Sequence, residues 1–241
     1  CSGKTRLWMK GEDVLRVTVK PAANNFHEWL TYEFTDRQSD AAVVALMWEN
    51  LQVPIQFKVE NITTVYIDQI RKELRSDIGF NYMSWVDGAN YCVQQNTNLT
   101  EALTWANYAI EEPFFGRKNF TSLSCKANVL NALGKTTQAD SIMQVAINDP
   151  TASMMDIHYY ARGLQAQKKN KEALEVFLIN YKKTPTSPVT NLGLARGYSA
   201  NGDYKNALKY AKAAMQLNPD PQVKSTLENA VKLLEAGKDF N

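Results

Sequence analysis

The feature that most constrains this chain is a self-similar unit repeating through its C-terminal two thirds. Ala102, Ala139, Ala173 and Ala207 are separated by 37, 34 and 34 residues, each at the start of an apolar helical stripe. Seven residues further on come Ala109, Ala146, Asn180 and Ala214, small side chains two turns along, where a neighbouring helix must approach closely. Pro113, Pro150, Pro185 and Pro219 follow and stop each second helix. Gly134 and Gly202 stand five residues before their alanines, in the turn between the two helices of a unit. A period near 34 means stacked helical hairpins, each burying its apolar face on the next.

Upstream, the periodicity is two. Leu15, Val17 and Val19 alternate with Arg16, Thr18 and Lys20; Leu30, Tyr32 and Phe34 alternate with Thr31 and Glu33; Val53, Ile55, Phe57 and Val59 alternate with Gln56 and Lys58. Val43 to Trp48 is mostly apolar on both faces. With turn-like residues at 21–25 and 36–40, the pattern predicts four half-buried strands in an antiparallel meander, Pro54 lying at an edge or strand start. So small a sheet cannot bury both faces alone and is expected to need the helices, or further β sequence preceding Cys1. Ile62, Val65, Tyr66, Gln69, Ile70 and Leu74 then form a helical stripe ending at 76–79. The expected fold class is therefore mixed: a short antiparallel β segment over 1–60, a connecting helix over 61–79, and an α-α superhelix over 80–241 whose last helix, near 221–237, caps the array.

Leu194-Ala195-Arg196-Gly197-Tyr198, Gly202-Asp203-Tyr204, Ala207, Ala214 and Pro219 resemble the tetratricopeptide repeat. The unit over 81–113 departs most, lacking a turn glycine and carrying three extra residues before the next unit. The whole chain also resembles the C-terminal part of a bacterial (Bacteroidota) envelope family, domain-of-unknown-function 2911. The residues that carry this are Glu12 to Pro21, Glu28-Trp29-Leu30, Trp48-Glu49 leading to Val53-Pro54, and Gly237-Lys238-Asp239-Phe240-Asn241. That resemblance implies an exported protein, periplasmic or associated with the outer membrane, preceded in its relatives by a longer β-rich half. It implies no activity.

Bulk properties exclude several classes. Lys+Arg 27 against Asp+Glu 25 gives a net charge of +2, without the basic excess of a dedicated nucleic-acid binder. No run of about 18 apolar residues occurs, so no membrane-spanning helix is expected. Cys1, Cys92 and Cys125 are too few and dispersed for a disulfide framework. Cys92 and Cys125 read as buried small hydrophobes. Cys1, followed by Ser2 and Gly3, is how a mature bacterial lipoprotein begins; a lipid there would hold the protein peripherally at a membrane. The accidental start of a cut chain is the competing reading. The two histidines, His27 and His158, have no partners at metal-ligand spacing, so no metal or other cofactor is expected. The phosphate-cradling glycine loop, the nucleophile elbow and the HExxH helix are all missing. The chain reads as a non-enzyme.

Binding has a more definite address. In repeats of this kind the first helices line the inner face. Counting from each alanine, the positions that the repeat resemblance implies for it are Asp87, Tyr91 and Gln94; Ser124, Asn128 and Asn131; His158, Arg162 and Gln165; and Leu192, Arg196 and Ser199. Of these, Tyr91, Asn128, Asn131, His158, Arg162 and Arg196 are the candidate ligand-binding residues, and a peptide or protein segment is the expected partner. Arg162 and Arg196 lie 34 residues apart and should be neighbours able to hold an anion. Asn128 fits the carboxylate-clamp subclass of these repeats, but Ser124 stands where that clamp has a lysine. The competing reading is that both arginines pair with nearby acids or are solvated. Two further readings concern the β segment. Trp29, opposite in parity to Leu30, could stack on carbohydrate if exposed, instead of packing on further β sequence or on the repeats. Alternatively the chain is an accessory domain of an enzyme whose active site precedes it.

Overall fold

A computed structural model describes residues 16–241. The described residues form an antiparallel ribbon followed by ten α-helices, in two compact units that divide between Gln69 and Ile70. Cys1 and Leu15 lie outside the described residues.

In the first unit, β1 (Ala22–Arg37) pairs with β2 (Ala41–Lys58). Two long strands replace the expected four. Residues 16–21 are not extended into a strand, and the stretch read as a turn at 21–25 is almost entirely inside β1. The reason is that a ladder can absorb unfavourable residues as bulges and stay paired. Register shifts fall between Ala23 and His27, between His27 and Thr31, and between Phe34 and Asp36. On β2, Glu49 takes a left-handed φ of 52° within the strand. The turn expected at 36–40 is confined to 38–40, since Asp36 and Arg37 stay paired with Val43 and Ala42, and Pro54 lies past Gln52, the partner of Ala22. Half-burial holds on parts of β2, where Val43, Val44, Val53 and Ile55 are half-buried, and fails on β1. Ala45 and Met47 are buried, but Leu30, Tyr32 and Phe34 are exposed, as is Trp29 on the other parity at 78%.

α1 (Ile62–Glu73) begins in the first unit and ends in the second. Its buried residues are Ile67 and, just past its end, Leu74, whereas Val65 and Tyr66 are exposed, so the apolar stripe is rotated from the expected one.

The second unit is built of helical hairpins. Its pairs are α2 (Tyr82–Gln94) with α3 (Leu99–Glu111), α4 (Phe120–Ala132) with α5 (Thr136–Asn148), α6 (Met154–Ala166) with α7 (Asn170–Lys183), and α8 (Pro188–Ala200) with α9 (Tyr204–Gln216); α10 (Pro221–Glu235) follows. Each first helix starts where a short polar side chain accepts a backbone N–H: Asn81, Asn119, Ser153 and Ser187, with Asp220 doing the same for α10. In α4 and α6 this is a reciprocal capping box with Ser122 and Asp156. Each first helix also ends alike. A left-handed residue, Asn96, Gly134, Lys168 or Gly202, donates its N–H to a carbonyl three residues back, and the following N–H reaches one five residues back. α10 ends the same way at Gly237, so it is built like the first helix of a further unit.

The four repeat alanines, Ala102, Ala139, Ala173 and Ala207, are fully buried, and so are Ala109, Ala146 and Ala214. Their small side chains let helix backbones close on one another, which is why the 34-residue period is readable at all. The larger side chains that fill the resulting core include Ile147, Ile157, Phe177 and Leu194. Asn180, at the fourth small position, is also buried and donates to the Met154 carbonyl at 2.9 Å. Cys92 and Cys125 are buried, and the Cys125 thiol, pushed up to about 12 by burial and by the nearby Asp87 charge, lies 3.7 Å from the Val86 carbonyl.

Candidate functional site

The positions expected to line the inner face divide into an open half and a covered half. In the first pair, Tyr91 and Asp87 border a cavity of about 300 Å3 whose other walls include Ile70, Leu74, Ile78 and Gly88. The α1 wall of this cavity is held by a two-pronged ion pair: Arg71 donates through Nε and Nη2 to the two Glu101 oxygens, at 2.7 and 2.6 Å. These charge-assisted bonds keep the Glu101 carboxyl below its usual range. In the second pair, Asn128 and Asn131 are exposed, and the Ser124 hydroxyl is turned back onto the Thr121 carbonyl.

The third and fourth pairs are different. After Gly237 reverses the chain, Asp239, Phe240 and Asn241 return onto α6 and α8. Ser199, fully buried, donates its hydroxyl to Asp239 Oδ1 at 2.5 Å and accepts the Phe240 N–H at 3.3 Å. The Arg196 guanidinium lies over the Phe240 ring, 5.3 Å from its centroid, and Phe240 packs on the cluster containing Leu192 and Ala195. The Asn241 carboxamide is used at both ends: it donates to the Arg196 carbonyl at 3.1 Å and accepts from Gln165 at 3.4 Å and Arg162 at 3.5 Å. Arg162 also donates to Gln165 at 3.0 Å.

The electrostatics of this end follow from crowding. Arg196 is pushed down to about 10 by burial and by Arg162, with Asp239 opposing, and so stays charged at neutral pH. Asp239 is partly desolvated, which raises its pKa, yet the bonds from Ser199 and Asn241 and from backbone N–H groups hold it below the carboxylate norm. His158 is not on the open surface. It is 9% exposed, with the Phe177 ring 5.6 Å away and Nδ1 unpartnered, and it is pushed down to about 4 by burial and by the Arg196 and Arg162 charges.

Arg162 and Arg196 thus act on one another and on a common set of partners, Asn128 and Asn131 are open, Tyr91 lines a cavity, and His158 is buried. Sequence reasoning placed Ser199 and Gln165 on this face without choosing them as binding residues. It did not foresee the segment that they hold. The signal available was Gly237, a helix-ending glycine just past the α10 stripe. Among the described residues no group of three or more metal-ligating side chains occurs, and no helix is long and apolar enough to cross a membrane.

Residues 2–57 match the model of a family described as "Protein of unknown function (DUF2911)". No curated protein matches the chain. Among solved structures the chain is similar to YrrB, a TPR protein described as having an unusual peptide-binding site, at 17% identity and a TM-score of 0.43, over 70% of this chain and 84% of that one. It is also similar to the MamA RS-1 ArsTM double mutant, at 16% identity and a TM-score of 0.40, over 66% of this chain and 97% of that one.

Proposed function

We propose that this chain is a non-catalytic scaffold that takes peptide or protein segments along the face made by its first helices, in the envelope of a bacterium, either periplasmic or associated with the outer membrane. One observation carries the reading. The α6–α8 end of that face already holds polypeptide by side-chain recognition, through Ser199, Arg196, Gln165 and Arg162. Exposed amides at Asn128 and Asn131 supply further donors and acceptors on the preceding pair. A surface of paired donors, acceptors and cations, on helices locked by close alanine packing, suits an extended segment better than it suits bond-making chemistry. The envelope location is supported by the family resemblance alone.

The test is selection of peptides from a displayed library on the full chain. Binding of the selected peptides should weaken at least tenfold with Asn128→Ala, Asn131→Ala or Tyr91→Ala, or, for peptides that displace the internal segment, with Arg162→Ala or Arg196→Ala; selected peptides indifferent to all five would reject this face as the site. Recovery of the native protein only from the cytosolic fraction would reject the envelope.

A second reading is favoured by the exposure of Trp29, flanked on β1 by exposed Phe26 and Tyr32. Flat rings presented to solvent can stack on sugar faces. Titration with cell-wall oligosaccharides should then quench tryptophan fluorescence in the natural chain and not in Trp29→Ala. Identical traces would remove this reading.

A further inference from the structure

We propose that Asp239-Phe240-Asn241 is an internal ligand of the groove, and that the site made by Arg162, Gln165, Arg196 and Ser199 takes partner segments with the same order of side chains, an acid followed by an aromatic and a carboxamide, in competition with the chain's own. The proposal rests on the peptide-binding reading above and names its partner class.

The segment is not needed to finish α10. That helix is already terminated by Gly237, whose N–H reaches the Leu234 carbonyl at 3.0 Å, and by Lys238, whose N–H reaches Leu233 at 3.0 Å. What residues 239–241 add is a set of contacts to α6 and α8, each matched to one chemical type. The buried Ser199 hydroxyl donates to a carboxylate and accepts from the next backbone N–H, so both its functions are spent on an acid and its successor. The Arg196 guanidinium covers a ring. Where Asn241 sits, the wall offers one acceptor, the Arg196 carbonyl, and two donors, Gln165 and Arg162. A carboxamide matches both sorts; a carboxylate would set an oxygen against the carbonyl.

Because the internal segment is tethered, its effective concentration at the site is high, and an outside segment binds only to the fraction of molecules in which the site is open. The chain as it stands is therefore self-occluded at this end and open at Asn128 and Asn131.

The experiment uses the full chain and its Asp239→Ala/Phe240→Ala variant. Asp239 is exposed and Phe240 packs only onto the outside of an already closed helix cluster, so the variant should keep its fold, checked by circular dichroism. The probe is a fluorescein-labelled peptide with the sequence of residues 236–241, alongside a scrambled control. The variant should bind the probe at least tenfold more tightly than the natural chain does, the scrambled peptide should not bind, and adding Arg196→Gln, or separately Gln165→Ala, should abolish the gain. Equal binding by natural chain and variant, or equal binding of the scrambled peptide, overturns the proposal. So does concentration-dependent dimerisation of the natural chain that Phe240→Ala removes, which would assign the segment to exchange between copies. Library peptides that depend on Asn128 and Asn131 would still stand after such a failure, so the broader reading and this one fail separately.

Discussion

Ser199 Oγ lies 2.5 Å from Asp239 Oδ1, joining α8 to a residue 40 positions later in the chain. Asp239 is held below the ordinary carboxylate range despite partial burial, because Ser199, Asn241 and backbone N–H groups bond its charged form. A depressed acid stabilises the docked arrangement fully above its undocked pKa, near 3.9, and that contribution is lost as pH falls through the docked value. Docking of the segment should therefore be unchanged from neutral pH down to about 4 and weaken below it. The side-chain amide resonances of Asn241 should move toward free-peptide positions over that acid range. Movement centred near pH 6 would contradict the role given to Asp239.

Gly163 and Gly197 occupy equivalent positions in neighbouring pairs, 34 residues apart, and should respond oppositely to alanine. A Cβ on Gly197 would lie 2.9 Å from Leu174 Cδ1 and 3.3 Å from the Leu174 Cα, the latter a backbone atom that cannot swing aside. A Cβ on Gly163 would meet nothing within 4 Å. Gly163→Ala should thus stabilise by about 1 kcal/mol through helix propensity, whereas Gly197→Ala should destabilise by roughly 1–3 kcal/mol through overpacking. Urea melts of the two variants check both signs.

The period of the alanines was enough to recover the hairpins, because each small residue marks a close helix approach and the spacing carries through to the fold. The ribbon was less legible. Asn24 and Asn25 look like turn residues locally, and only the register shift between Ala23 and His27 shows the ladder absorbing them. At the site, the 34-residue spacing identified Arg162 and Arg196 as neighbours. The Phe240 ring beneath Arg196 could not be read, since nothing local in Asp239-Phe240-Asn241 encodes a return to α8. Nor could the burial of His158, which depends on the Phe177 ring packed 5.6 Å from it across the pair, a ring that comes close to α8 only because Gly193 has no Cβ: one there would stand only 2.7 Å from Phe177 Cδ1.

Lys168 holds the left-handed turn position that glycine holds at Gly134 and Gly202, with φ 61°. A side chain there costs about 1 kcal/mol in local strain. Lys168→Gly should accordingly be neutral to stabilising by up to about 1 kcal/mol, after the greater entropy of glycine in the unfolded chain is set against the relief. Gly202→Ala should destabilise by about 1 kcal/mol for conformational reasons only, since nothing lies within 4 Å of its added Cβ. Thermal melts of the pair would refute the equivalence of the turns if Lys168→Gly destabilised.

His158 should make the stability of the repeat unit depend on pH. It is buried against Phe177, with Nδ1 unpartnered, and the Arg162 and Arg196 charges act on it, so the folded state binds its proton only near pH 4 whereas the unfolded chain binds it near 6.5. Between those values the unfolded state carries more protons, so stability must fall as pH drops from about 6.5 to about 4 and be flat outside that window as far as this residue is concerned. At 1.36 kcal/mol per unit the full loss is roughly 3 kcal/mol. His158→Leu removes the titration and strands no partner of Nδ1, so urea midpoints of the variant should show a shallower decline over the same window. Parallel profiles for the two proteins would place the acid sensitivity elsewhere in the chain.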